Sequence, residues 1–311
     1  MTSPAKIRRF VTYSVVVLAT AVLLIAVANF PYDVDRPLSA EEIAKSRQYY
    51  AEAYQKQTPA EAPPSEYDTK YLKIGAAAAK DSHIEESVSE FASKYGLRTG
   101  AVLDIGSGRG YLQDVVENYT GLDISSNVRR FYHKKFVLGS ATAMPFPNNS
   151  FDGGWSIWVL EHVPNPEQAL LELRRVMKNN AVFFMLPAWN CNSWAAEGYS
   201  ERPYSDFHLK GKLIKASIPV RSSPAFRASA RIPSRILRSV VSWAGPTRLH
   251  YRLLHPNYKD YWEPDSDALN SIDRHEVMLW FRSRGDECIN CEGLDGSPLM
   301  RISALVIRIH K

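Results

Sequence analysis

Cysteine is nearly absent from this chain, with three in 311 residues: Cys191, Cys288 and Cys291. That number supports no disulfide framework. Cys288-Ile289-Asn290-Cys291 is a lone C-x-x-C. Structural zinc takes about four ligands, and a second pair is missing, so the spacing argues against a metal and for two ordinary strand cysteines. Long runs of one charge are also missing. The net charge is a mild +5, so no nucleic-acid-binding tail is expected. No internal repeat is visible. A third glycine in dinucleotide register is absent too: G-x-G-x-x-G needs one at position 111, which is Tyr111.

What is present instead is Val102-Leu103-Asp104-Ile105-Gly106-Ser107-Gly108-Arg109-Gly110, followed by Gly121-Leu122-Asp123-Ile124-Ser125. The pattern reads as a buried strand, a glycine turn, a helix over about 111–118, and a second strand ending in a carboxylate. Glycines at 106, 108 and 110 let the backbone approach a ligand closely. Asp123 is placed to accept from two vicinal ribose hydroxyls. Asp104, two residues before the first glycine, suits a cationic ligand and opposes a pyrophosphate. The combination points to a sulfonium nucleoside rather than a nicotinamide dinucleotide.

These residues resemble the class I S-adenosylmethionine-dependent methyltransferases of the small-molecule and lipid type. The resemblance continues through Gly139-Ser140-Ala141-Thr142-Ala143-Met144-Pro145-Phe146, a loop beside the adenine in that family. It extends through a fourth strand after Asn149-Ser150-Phe151-Asp152, the segment Val159-Leu160-Glu161-His162-Val163, a helix over 170–178 and a fifth strand over 181–186. It is close over 102–187 and looser beyond. It implies a Rossmann-like α/β fold with a seven-stranded, mostly parallel sheet whose last strand is antiparallel. S-adenosyl-L-methionine is the implied cofactor, held by Asp104, Gly106, Ser107, Gly108, Gly110, Asp123, Ile124, Ser140, Ala141 and Trp158. The family often has Asp where Ser140 stands; the serine accepts a hydrogen bond without charge, and the Ala141 backbone takes a larger share. This change lends some support to the alternative of a non-catalytic binder or scaffold.

Methyl transfer to a hydroxyl calls for a general base. His162, at the strand end where ligands gather, and His208, in the variable segment, are the candidates; Glu197, Tyr199 and Tyr204 are weaker ones. Trp155, Trp158 and Trp189 are expected as core or pocket wall. Asp265, Asp267, Asp273 and His275 read as caps and turns before the last helix.

The N-terminus is uncharged from Phe10 to Phe30, after Lys6, Arg8 and Arg9 and before Asp33 and Asp35. As a helix this run is about 30 Å long, enough to span a bilayer. A single-pass transmembrane helix is expected; a cleaved signal peptide ending near Ala26-Val27-Ala28 is the alternative. The flanking charges place the tail in the cytoplasm and the rest outside. The cofactor's cytosolic origin argues for the opposite side, and the catalytic domain is expected on the cytosolic face. The organisation expected is tail and anchor 1–30, helical and Pro-rich linker 31–80, and methyltransferase domain 81–311 with a substrate-side insertion at 187–264. In the linker, 39–57 has helix spacing with Ser39 as cap and Glu41 and Glu42 in the first turn, and 58–66 carries three prolines. Asp81 or Ser82 would cap a helix reaching Tyr95, with Ile84, Val88 and Phe91 on its apolar stripe. Lys210, Lys212, Lys215, Arg221, Arg227, Arg231, Arg235 and Arg238 make the insertion basic. A short amphipathic helix over 233–243 either packs on the domain or meets anionic lipid headgroups. Near the end, a helix over 274–284 stopped by Gly285 and strands over 287–291 and 300–310 complete the sheet. The methyl acceptor is expected to be a small molecule or a lipid.

Overall fold

The structure is a computed structural model that describes residues 4–28, 37–52 and 70–311. The expected linker over 58–66 lies outside the described residues. The helices are α1 (Pro4–Ala28), α2 (Ala40–Glu52), α3 (Lys70–Asp81), α4 (Ile84–Lys94), α5 (Pro166–Val176), α6 (Leu209–Ser222), α7 (Pro224–Ser242) and α8 (Arg274–Arg282). The strands are β1 (Ala101–Ile105), β2 (Asn118–Asp123), β3 (Lys135–Leu138), β4 (Phe151–Ile157), β5 (Met177–Leu186), β6 (Tyr251–Leu253), β7 (Asn270–Ile272), β8 (Glu287–Cys288) and β9 (Leu305–Arg308).

Two compact units are formed. One comprises Met1–Val34 and Tyr199–Ser234, and in it α1 lies against α6. The expected anchor is helical, but among the described residues no helix is long and apolar enough to cross a membrane.

The second unit comprises Asp35–Gly198 and Arg235–Lys311. Its sheet has the order β3-β2-β1-β4-β5-β9-β8. β1 to β5 run parallel, β9 is antiparallel to both β5 and β8, and β6 and β7 form a separate antiparallel pair. The expected seven-stranded sheet is therefore present. The central strands are apolar runs, as strands covered on both faces must be: Val102, Leu103 and Trp155 are fully buried. α4 packs one face through Ile84, Val88 and Phe91, and α5 and α8 pack the other through Leu170, Leu173, Met278 and Phe281.

The expected helix over 111–118 does not form. β2 begins at Asn118, so only twelve residues, 106–117, cross from β1 to β2, and the glycine turn consumes the first of them. A single 3-10 turn, Gln113–Val115, is all that fits. The space beneath the turn is taken by Tyr132, whose ring would collide with a Cβ at Gly110 (2.8 Å) and whose hydroxyl donates to Ser107 Oγ at 2.7 Å. Two other expectations also change. Asp81 ends α3, and His83, in the left-handed region, precedes α4 without a side-chain cap. Cys288 and Cys291 are joined by a disulfide, because the turn after β8 brings their Cα atoms to 5.3 Å.

The α2 expectation holds at its start. Ser39 Oγ accepts from the Glu42 N–H at 3.2 Å, and Glu42 Oε2 accepts from the Ser39 N–H at 2.8 Å. This reciprocal capping box fixes where the helix begins.

Candidate functional site

A cavity of about 310 Å³ opens at the carboxyl ends of the parallel strands, within the size range of small-molecule pockets. Each of β1 to β4 supplies residues at or just past its end: Gly106; Asp123 and Ile124; Gly139 to Thr142; Trp158, Val159 and His162 to Asn165. The sheet order reverses between β1 and β4, which is where a doubly wound sheet leaves a crevice.

Gly106 has φ 71°, and a Cβ there would sit 2.3 Å from Val159 Cγ2, so no other residue fits without displacing the β4 turn. Asp123 ends β2. Its Oδ2 accepts from the Gly108 N–H at 2.8 Å and its Oδ1 from the Ser125 N–H at 2.9 Å. Each oxygen keeps a second lone pair, so the carboxylate can still accept two ligand hydroxyls. Burial raises its pKa, against the pull of those backbone donors. The Ser140 hydroxyl pairs with Thr142 Oγ1 at 2.9 Å. The loop carrying both is buttressed by Arg175, which donates to the carbonyls of Met144 and Phe146 and to Glu172.

Of the expected cofactor residues, Gly106, Asp123, Ile124, Ser140, Ala141 and Trp158 line the cavity. Asp104 does not. It is 5 % exposed and accepts from the Tyr119 hydroxyl at 2.8 Å, because alternation along β1 turns it into the sheet's packed face. Burial lifts its carboxyl to about 7, and the Tyr119 bond opposes that rise. Ser107 and Gly108 shape the turn from behind, through Tyr132 and Asp123, and Gly110 seats the Tyr132 ring.

His162 lines the cavity. His208 does not; it precedes α6 in the other unit, with its carbonyl accepting from the Lys212 N–H. Three contributions escaped sequence reasoning. Ile43, Ser46, Arg47 and Tyr50 of α2 form one wall of the cavity. Their spacing puts them on one helical face, a signal present in the sequence. The Tyr50 hydroxyl lies 2.8 Å from His162 Nδ1 and donates to Asp267 Oδ2, also at 2.8 Å. Asp267 reaches this place because residues 160–163 are tied to the strand that follows it. The Leu269 N–H donates to the Glu161 carbonyl, and Asn270 Nδ2 donates to the carbonyls of Leu160 and Val163. Asp267 lies in the turn over 264–267, as expected, but its carboxylate also accepts from Tyr50, and Asp273 caps α8 as expected, accepting from the His275 N–H.

The electrostatics at this end are acidic. Glu161 Oε1 is 3.8 Å from His162 Nε2, and burial raises the Glu161 carboxyl to about 7. Burial pulls the His162 pKa down, but Asp267, Glu161 and Asp265 together outweigh it and leave it raised.

Residues 103–185 match a family model described as a methyltransferase domain. With the strand order above, that match supports a class I S-adenosylmethionine-dependent methyltransferase domain over this segment, with S-adenosylmethionine as its cofactor. An uncharacterized protein of Methanocaldococcus jannaschii is 31% identical over 126 residues, covering 39% of this chain and 45% of that protein. A sterol 24-C-methyltransferase of Gibberella zeae is 31% identical over 130 residues, covering 36% of this chain and 34% of the enzyme. A ubiquinone/menaquinone biosynthesis C-methyltransferase of Hahella chejuensis is 29% identical over 141 residues, covering 39% and 57%. This chain spans less than two thirds of the length of each of these relatives.

Proposed function

We propose that this protein transfers a methyl group from S-adenosylmethionine to a small-molecule or lipid-like acceptor. The observation that carries the reading is Asp123. It is a carboxylate at the end of β2, oriented by two backbone N–H groups and facing a cavity bounded by the Gly106 turn and the 139–142 loop. Asp123 would hold the ribose hydroxyls, Ser140 and Ala141 would flank the adenine, and Trp158 and Tyr50 offer aromatic faces that suit a cation. When bound, the cofactor supplies a sulfonium-activated methyl group. The residues of the chain align the acceptor, exclude water and receive its proton. The sterol and quinone relatives support an apolar acceptor.

Attachment to a membrane, with the site on the cytosolic side, is part of the proposal. It is supported by the uncharged run 10–30 and by the exposed Ile236, Leu237, Val240, Val241 and Trp243 of the 236–243 stretch, with Trp243 84 % exposed. The basic half of the lipid reading is weaker for Arg235 and Arg238, which are spent on Asp273 and Glu276 inside the protein.

Isothermal titration with S-adenosylmethionine tests the reading. Binding is expected, weakened by roughly 1–3 kcal/mol in Asp123→Ala. No heat with the unaltered protein at high micromolar ligand would refute it.

A further inference from the structure

Tyr50 and Asp267 lie outside the family-matched segment, and holding the cofactor explains neither the pairing of the Tyr50 hydroxyl nor the placement of Asp267. Asp267 is fully buried. An ionised carboxylate only accepts, and a tyrosine hydroxyl has a single proton. With that proton given to Asp267 Oδ2 at 2.8 Å, the Tyr50 oxygen is left to accept from His162 Nδ1 at 2.8 Å. The arrangement therefore fixes neutral His162 with its proton on Nδ1. Nε2 keeps a lone pair, and its nearest charged neighbour, Glu161 Oε1, is too far at 3.8 Å for a hydrogen bond.

We propose that Tyr50 and Asp267 are positioning residues that set His162 as the acceptor-side base, and that the acceptor is one whose reacting oxygen or nitrogen carries a proton. The inference rests on the methyl-transfer reading of the cavity. In the step it describes, the acceptor proton passes to His162 Nε2. The electron pair of the acceptor atom forms the new bond to the methyl carbon, and the carbon–sulfur pair departs with sulfur. The imidazolium so formed is faced by Asp267, Glu161 and Asp265, with Tyr50 between it and Asp267. All three carboxylates favour the charged ring. The choice of a histidine whose tautomer is set by a hydrogen bond at its other nitrogen follows the general logic of imidazole bases. What is particular here is that the hydrogen bond comes from α2, 112 residues before the histidine.

The test is nitrogen-15 NMR of histidine-labelled full-length protein above the His162 titration, with the signal assigned by its loss in His162→Gln. The expected result is protonated Nδ1 and unprotonated Nε2 in the unaltered protein, with the proton redistributed toward Nε2 in Tyr50→Phe. A matching redistribution in Asp267→Asn supports the relay if Tyr50→Phe does not fold. A proton on Nε2 in the unaltered protein overturns the proposal, and so does an unchanged tautomer in whichever of the two variants folds. Titration of the unaltered protein with S-adenosylhomocysteine separates the two layers. Binding together with the wrong tautomer removes the relay and leaves the site. No binding removes the site, whatever the tautomer.

Discussion

The hydroxyl of Tyr50 lies 2.8 Å from Nδ1 of His162, joining the second helix to the turn after β4 across 112 residues. The pair closes one side of the cavity, and it makes His162 the histidine on which proton transfer is expected to depend. His162→Gln should leave S-adenosylhomocysteine affinity within a few-fold and lower methyl transfer by roughly 10²–10⁴. Transfer of labelled methyl from S-adenosylmethionine into a cell extract measures the second quantity. Undiminished transfer would remove His162 from the chemistry, and parallel loss of binding would make it a structural residue.

Gly106 is held at φ 71° with Val159 pressed against the place a side chain would occupy. Gly106→Ala combines an unfavourable backbone region with a 2.3 Å clash. A stability loss of roughly 1–3 kcal/mol is expected, with cofactor affinity falling further as the turn shifts. Urea denaturation and calorimetric titration check the two effects separately.

Asp104 gives a stability that depends on pH with a definite sign. Its carboxyl moves from an ordinary 3.8 to about 7 on folding, chiefly through burial. The folded state therefore holds the proton more tightly. The contribution is fully present below about pH 4 and is lost as pH rises through about 7. Between pH 5 and pH 8 the unaltered protein should lose roughly 2–3 kcal/mol that Asp104→Asn does not, since the amide oxygen still accepts from Tyr119 and never ionises. Urea midpoints at the two pH values decide it, and parallel pH profiles would contradict the assignment.

Arg235 places its guanidinium on both oxygens of Asp273 at 2.8–3.1 Å and donates to the carbonyls of Pro298 and Met300. Arg235→Met strands a largely buried carboxylate, and a loss of about 3 kcal/mol is expected in chemical denaturation. A loss below about 1 kcal/mol would mean that the pair is solvated in solution.

The parallel core was legible because its information is local. Val102 to Ile105 could only be a covered strand, Asp123 could only end one, and Ser39 with Glu42 spelled out a capping box. The misreadings share a different cause. The helix after Gly110 failed because periodicity does not count the residues a crossover consumes. Asp104 looked like a ligand contact because motif spacing does not reveal which way a strand turns its side chains. Asp267 was read only as part of a turn, which it is, and its pairing with Tyr50 was missed because the two are 217 residues apart and no local pattern couples them. For Arg235 and Arg238 the sequence left packing on the domain and contact with lipid headgroups both open, and their partners on α8 and its cap favour the first.

The most direct test of the account is a crystal structure of the protein soaked with S-adenosylhomocysteine. The account predicts the ribose hydroxyls on Asp123 and the adenine beside Ser140 and Ala141, with the sulfur end toward His162. Ligand bound elsewhere, or a cavity kept shut by protein atoms in the presence of saturating ligand, would contradict it.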